Sequence, residues 1–474
     1  MTSWGCTPTC RGFGHFYGFY NAFNDYFTHH VGVGLDFRDD LEPVRNETGN
    51  YFTEIVTANA IQWLQGSLAE NKTRPTFAYL AHESNHAPMQ VPASWIAGGC
   101  LDIPVTNPTR RMLCGMMRAV DSSVLNMTSA YKALGIWEET VVIFSTDNGG
   151  NTDTGGNNSP FRGNKATTWE GGVRGVGFVS GGYTLVLREA VSTALIHVSD
   201  WYPTIVQGIG LLQLSPALDG TPPLDGVDAW PAITGVSAEG QRTEVLLNLV
   251  ADSSGGPATD VPGQGAIRVG KWKLLHGHTC AWGIYGCSSC TKRDGEPAAD
   301  PPEHHGRTYP MNVTAETSPP FCPNGWVPPP ESGKLPVPPP DVGCASIPCD
   351  PVFNDSGYIR GSTYLFDLDD DPHEQHDLSK TNPTVVASLM AKLQAFNATK
   401  IPQVNAPIDP KSSPVHFNDT WTPWEGDTNP IKCAKPPPPP VPACVNGAGE
   451  PTHCAGSVDG LGLKSSNPGD FHSN

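Results

Sequence analysis

Basic residues are scarce in this sequence: 29 Lys and Arg stand against 47 Asp and Glu, a net charge of −18. So little positive charge excludes nucleic acid or an anionic membrane as the main partner. An anionic substrate stays open, because a lysine, a histidine and a metal ion gathered in one pocket reverse the field locally. No run of 18 apolar residues occurs, so no transmembrane helix is expected. No internal repeat is visible. Met1 opens on M-T-S-W-G-C, without the charged and apolar regions of a signal peptide.

What is present suits a folded, exported protein. The 474 residues suffice for one large domain and a smaller one, and 38% hydrophobic residues allow a real core. With 51 Gly and 47 Pro, much of the chain is turn and coil. Thirteen cysteines are many for the cytosol. N-x-[ST] sequons begin at Asn46, Asn71, Asn126, Asn312, Asn354, Asn397 and Asn418. One more, at Asn157, is followed by Pro160 and is set aside. Together these features point to the secretory pathway, lysosomal or extracellular. Combined with the missing signal peptide, they lead us to expect that the chain lacks its natural beginning.

Three short apolar runs read as buried strands: Thr76–Ala81 (T-F-A-Y-L-A), Thr140–Ser145 (T-V-V-I-F-S) and Val173–Val179 (V-R-G-V-G-F-V). Between the first two, Leu113, Met117, Val120, Val124, Met127, Tyr131 and Leu134 recur at helical spacing, with Ser122, Ser123 and Asn126 on the polar side. A further helix is expected after Asp200, with Pro203 in its first turn. Strand–helix–strand alternation implies an α/β layer with a largely parallel sheet over residues 1–240. Short strands at 244–250, 266–276 and 362–368, with a covering helix over 384–396, suggest an antiparallel α+β domain over 241–408. A Pro-rich insert, 294–342, interrupts it, and a Pro/Gly-rich tail covers 409–474.

The strongest chemical signal is Ser145-Thr146-Asp147-Asn148-Gly149-Gly150, directly after an apolar strand. A carboxylate and a carboxamide offer the hard oxygens that Ca²⁺ or Mg²⁺ prefers, and the glycines let the backbone turn away close to an ion. Alone, D-N-G-G is equally a common turn. It is followed by Pro160-Phe161-Arg162-Gly163-Asn164-Lys165 and by Trp169-Glu170-Gly171-Gly172-Val173-Arg174-Gly175. It is preceded by His82-Glu83-Ser84-Asn85-His86-Ala87-Pro88. An acid and amide, a lysine and a histidine therefore lie near strand ends, where sites form in α/β proteins. Separately, His276, His278, Cys280, Cys287 and Cys290 offer zinc ligands, although an oxidising compartment favours disulfides.

In this order and at this length, these motifs resemble the type I, formylglycine-dependent sulfatases. The segments L-D-F-R-D at Leu35, H-V-S-D-W at His197, D-G-V-D-A-W at Asp225, G-K-W-K-L-L at Gly270 and L-F-D-L-D-D-D-P at Leu365 resemble the arylsulfatase B, I and J branch. The resemblance implies an alkaline-phosphatase-like fold, a mixed central sheet flanked by helices with its first strands missing here, and a smaller C-terminal α+β domain. It implies hydrolysis of a sulfate ester, with sulfated carbohydrate as the substrate. Asp147 and Asn148 would be two ligands of one Ca²⁺, Lys165 a sulfate-binding catalytic residue, and His86 the substrate-contacting proton donor at the leaving-group side. Such roles are chemically apt. Transfer of SO₃ builds charge on non-bridging oxygens that a dication and an ammonium stabilise, and a departing alkoxide needs a proton. His86 and Lys165 each also have a plain reading, as a loop histidine and a solvated lysine; His82, His197, Asp200 and Arg174 are read as structural.

The resemblance also implies a cysteine in C-x-P-x-R, oxidised to formylglycine by the formylglycine-generating enzyme. No C-x-P-x-R occurs in this sequence. Cys6-Thr7-Pro8-Thr9-Cys10 has cysteine and proline at the right spacing but ends on cysteine; Cys6 and Cys10 are read as surface or disulfide cysteines. The expectation is an N-terminally truncated sulfatase. Its rivals are a secreted, non-catalytic sulfatase-like binding protein, and a phosphatase or phosphonate hydrolase of the same superfamily. Those hydrolases place histidine after the strand-end aspartate, and Asn148 argues against them.

Overall fold

Left-handed backbone at His29 (φ 59°), Gly32 (φ 57°) and Asp40 (φ 52°) breaks the early chain into two-residue strands. These are β1 (Tyr17–Gly18), β2 (His30–Val31), β3 (Gly34–Leu35), β4 (Arg38–Asp39) and β5 (Glu42–Pro43). Their side chains converge on an aromatic core of Tyr26, Leu35, Phe37, Tyr51 and Phe52, joined by Val91, Met116 and Ala119. Phe37 meets Phe52 edge-on at 5.5 Å, and Tyr26 stacks on Tyr51 at 5.5 Å. The computed structural model describes residues 3–103, 108–151, 154–163, 165, 167–183, 190–210, 223–237, 240–250, 264–277, 363–400, 409–425, 444–445 and 451–452.

Two units are present: Tyr17–Thr422, and Met1–Phe16 with Pro423–Asn474. In the second, Trp4–Cys6 and Pro8–Arg11 are 3-10 turns, and Ser3 bridges Glu425 in parallel. Cys6 is a free, exposed thiol, whereas Cys10 is disulfide-bonded.

In the larger unit, residues 409–422 depart from the tail expected there. Leu35 pairs in parallel with Thr420, Trp421 N donates to Leu35 O at 2.9 Å, and the Trp421 indole donates to Val31 O at 2.9 Å. A Cβ on Gly34 would lie 2.4 Å from Pro414, so only glycine lets this strap lie flat. The buried Arg38 adds bonds to Trp421 O and Thr422 Oγ1. Pro-rich composition concealed the strap because its partners lie near the other end of the unit.

Helices α1 (Phe52–Glu70) and α3 (Pro108–Ala133) pack on this core, and α2 (Ala93–Ala97) is tied to α3 by the Cys100–Cys114 disulfide. The α3 face is turned slightly from expectation: Met116 and Ala119 are buried, while Met117 is exposed. Ser123, expected on the polar side, is buried between Thr57 Oγ1 at 2.6 Å and His82 Nε2 at 3.1 Å. Those bonds are what make a serine tolerable there. Asn126 is exposed, as are Asn46, Asn71 and Asn418; Asn397 is half-buried, and Asn312 and Asn354 lie outside the described residues.

The central strands differ from expectation in two ways. Thr76–Ala81 belongs to no strand among the described residues, and Tyr79 is 73% exposed. An apolar run proposes a strand, but only a ladder partner makes one. β6 (Val141–Ser145) and β7 (Gly177–Gly181) do pair, yet antiparallel rather than parallel. The intervening chain folds back on itself, and Thr146 N bonds Val176 O at 2.9 Å.

The expected antiparallel sheet is present, in the order β11 (Thr363–Asp367), β10 (Trp272–His276), β9 (Gln264–Val269), β8 (Glu244–Val250). The run 266–276, expected as one strand, is a hairpin that turns at Gly270 (φ 55°). The helix Pro383–Thr399 covers it, with Leu389 and Leu393 packed on Ile267, Leu274 and Leu365. On the other face Trp169 is wholly buried against Ala266, Leu275 and Phe366. Beside it Lys273, 0% exposed, lies 2.8 Å from Glu170 Oε1 and 2.7 Å from Glu374 Oε1.

The strap leads to one expectation. Trp421→Ala removes the indole bond and its cover over Gly34, and should lower unfolding stability by about 2–4 kcal/mol. Trp421→Phe should lose roughly half as much. Urea denaturation of the three proteins checks this, and an alanine variant as stable as the parent would refute it.

Candidate active site

The D-N-G-G loop leaves β6 at Ser145 and runs directly beneath α4 (Glu170–Val173). Gly149 N donates to Gly172 O at 2.9 Å, and a Cβ on Gly149 would lie 1.8 Å from Gly171 O. No other residue fits there. Gly171 is hemmed in equally: its Cβ would lie 2.6 Å from Arg162 O, to which its own N donates at 2.6 Å. Gly149 and Gly171, one from each motif, are therefore close-approach positions.

One side chain staples the loops together. Asn158 Oδ1 accepts Gly150 N at 2.7 Å, and its Nδ2 donates to Gly150 O at 2.8 Å and Gly163 O at 3.2 Å. Lys165 N adds a bond to Gly150 O at 3.2 Å. The structure thus brings Asp147, Asn148 and Lys165 onto adjoining loops. Asp147 is exposed, and among the described residues neither its carboxylate nor the Lys165 ammonium has a bonding partner. Asn148 spends its Nδ2 on Gly149 O at 2.8 Å, which leaves Oδ1 as an available acceptor. A carboxylate, a carboxamide oxygen and an ammonium with no partner among the described residues suit a divalent cation and an oxyanion. Among the described residues Asp147 joins no cluster of three or more His, Cys, Asp or Glu.

His86 stands apart from these loops in the described contacts. Its ring stacks on Phe23 at 5.5 Å, and Nδ1 lies 2.7 Å from Ala87 O. A carbonyl accepts only, so Nδ1 carries the proton and Nε2 is free to face outward. Arg174 lies 4.7 Å over the Phe161 ring and 3.7 Å from Glu170, a supporting position. Asp200 accepts from His197 N and Val227 N and is clasped by Arg242. Burial raises its pKa, but Arg242 and the two N–H groups overcome that and hold it low. It joins the H-V-S-D-W and D-G-V-D-A-W segments rather than meeting substrate. His276 bonds Thr363 Oγ1 at 2.9 Å; His278, Cys280, Cys287 and Cys290 lie outside the described residues.

Sequence reasoning missed Asn158, Glu374 and Glu83. Asn158 hides in an ordinary polar loop. Glu83, at the base of the His86 loop, is buried and accepts Asn24 N at 2.6 Å. Burial pushes its pKa up from 4.5 to about 8; the Asn24 N–H opposes this, and Asp25 and Asp36 add to it. Nothing in H-E-S-N-H marks that carboxyl as buried.

Residues 3–211 match the sulfatase family model. Arylsulfatase J of Mus musculus is 29% identical over 439 residues, covering 90% of this chain and 62% of that protein. N-acetylgalactosamine-6-sulfatase of Canis lupus familiaris is 30% identical over 210 residues, 43% of this chain and 36% of that protein. The chain thus spans less than two thirds of the length of these curated relatives. The solved structure of Ps i-CgsB in complex with k-i-k-neocarrahexaose superposes with a TM-score of 0.54 at 19% identity, covering 83% of this chain and 68% of that one. The fold is the mixed α/β, alkaline-phosphatase-like fold of sulfatases.

A carboxyl whose folded pKa is raised contributes stability below its unfolded pKa and loses it as pH climbs to the folded value. For Glu83 that window is pH 4.5 to about 8. Glu83→Gln should therefore gain on the parent by on the order of 3 kcal/mol between pH 5 and pH 8. Denaturation curves at both pH values check this; a constant gap would show that Glu83 is not buried as a neutral acid.

Proposed function

We propose that this chain carries the cation- and sulfate-binding part of a sulfuric ester hydrolase of the arylsulfatase B, I and J branch, acting on sulfated carbohydrate. The reading is carried by one observation: the oxygens of Asp147 and Asn148 and the ammonium of Lys165, unpartnered among the described residues, share two loops stapled by Asn158. The name N-acetylgalactosamine-6-sulfatase among the relatives supports a sugar sulfate as substrate.

Asp147 and Asn148 fit a Ca²⁺ ion by donor type, hard oxygens on a rigid glycine turn. Bound there, Ca²⁺ would neutralise charge on the sulfate's non-bridging oxygens. Lys165 binds and orients the sulfate by its charge. His86 presents Nε2 outward and, when protonated, can deliver a proton to a leaving oxygen. The chain's residues do not fit a formylglycine: C-x-P-x-R is absent, and Cys6 has Cys10 where the arginine would stand. Without a covalent nucleophile, binding gives no turnover.

The expected behaviour of these 474 residues is binding without hydrolysis. Tb³⁺, a luminescent stand-in for Ca²⁺, should bind in the high-micromolar range or weaker with so few ligands, and Asp147→Ala should weaken it at least about tenfold. Turnover of 4-nitrocatechol sulfate should match a heat-killed control. A form that also carries C-x-P-x-R, made with the formylglycine-generating enzyme, should be active and lose activity on Asp147→Ala. Turnover well above control by the present chain would overturn the reading that it lacks a nucleophile.

A further inference from the structure

We propose that Lys273, on a strand of the C-terminal sheet, is a positioning residue for the Asp147–Asn148 loop and the Lys165 loop together. Its consequence for cation binding rests on the function proposed above, while its geometry does not.

The Lys273 ammonium is wholly buried between Glu170 Oε1 and Glu374 Oε1. Glu374 doubles the tie: its Oε2 accepts Glu170 N at 2.6 Å, and its carbonyl accepts Arg162 Nη1 at 3.0 Å. The Arg162 guanidinium lies 3.9 Å over the Trp169 ring, which is itself locked in the sheet's core. So one ammonium fixes the start of α4 directly, and the P-F-R-G-N-K loop through Glu374 and Arg162.

From α4 to the site there is no slack. Gly171 and Gly172 lie in a slot with Gly149 on one side and the carbonyls of Phe161, Arg162 and Gly163 on the other. A shift of Glu170 must move Gly149, and with it the two residues before it. Glu374 holds its place with left-handed backbone (φ 58°), a conformation unfavourable for glutamate that the surrounding bonds must enforce. Two buried carboxylates share one ammonium, and Arg174 lies 3.7 Å from the other oxygen of Glu170. Burial raises the Glu374 pKa, against the lowering pull of Lys273.

Removing Lys273 alone would strand two buried carboxylates and unfold the region. The test is therefore the triple change Glu170→Gln, Lys273→Met and Glu374→Gln, which keeps volume and leaves no buried charge. Amide hydrogen exchange should quicken about tenfold or more in peptides spanning residues 147–150 and 162–172, with exchange in the helix Pro383–Thr399 unchanged. Tb³⁺ affinity should fall about tenfold. Lys392→Met, which breaks the surface pair with Glu244, should alter neither. A second variant tests the coupling from the other end: Gly149→Ala should quicken exchange across Glu170–Val173 and at Lys273. Unchanged exchange at residues 147–150 in the triple variant, or at Lys273 in Gly149→Ala, overturns the proposal. If exchange quickens while Asp147→Ala leaves Tb³⁺ binding intact, the cation reading falls and the positioning role stands. If Asp147→Ala abolishes binding while the triple variant keeps parental exchange and affinity, the reverse holds.

Discussion

A charge taken out of water must be met by other charge, and the buried Lys273 ammonium meets it twice. Desolvating an ammonium and two carboxylates costs several kcal/mol for each ion, so the cluster exists only if all three groups arrive in register. That demand joins segments 103 and 204 residues apart in the chain: Glu170 to Lys273, and Glu170 to Glu374. Hydrophobic contact alone would let Trp169 settle in more than one way against the sheet. One hydrogen bond to Glu170 and one ion pair to Glu374 on the same nitrogen restrict that choice.

The site loops gain their rigidity from the absence of side chains. Where Gly149 meets Gly171, backbone packs on backbone, and the carboxamide of Asn158 takes up the polar groups such closeness exposes. Glycine is flexible in the unfolded chain, yet here it permits the tightest contacts in the unit. The candidate groups lie just outside this knot: among the described residues the charged ends of Asp147 and Lys165 are left available.

What the sequence discloses is local, and what it conceals is partnership. D-N-G-G and R-G-N-K were legible because acid, amide, lysine and glycine are apt for the chemistry at short spacing. Glu374 was not, since its role depends on a residue 204 positions away. Lys273 did leave a trace: it is the one charged residue within an apolar strand whose last four residues are all buried. The same division holds for the fold. The helix at 383–399 and the four-stranded antiparallel sheet follow from periodicity and Gly270. Thr76–Ala81 has the composition of a strand without a described ladder, and the antiparallel direction of β6 and β7 is something no periodicity reports. The buried serine of α3 went unread because its acceptor and donor lie on other elements.

The strap from Asp409 to Thr422 closes the larger unit on its own beginning, and that has a consequence during synthesis. Arg38 leaves the ribosome early, and the backbone that satisfies its guanidinium follows 383 residues later. At ordinary elongation rates the wait is roughly 20–80 s. Throughout it, Leu35 has an open strand edge, and Arg38 lacks the bonds that Trp421 and Thr422 supply. The pairing begun at Leu35 and Arg38 is thus finished only when residues 420–422 arrive, and until then the nascent segment must be kept from other partners.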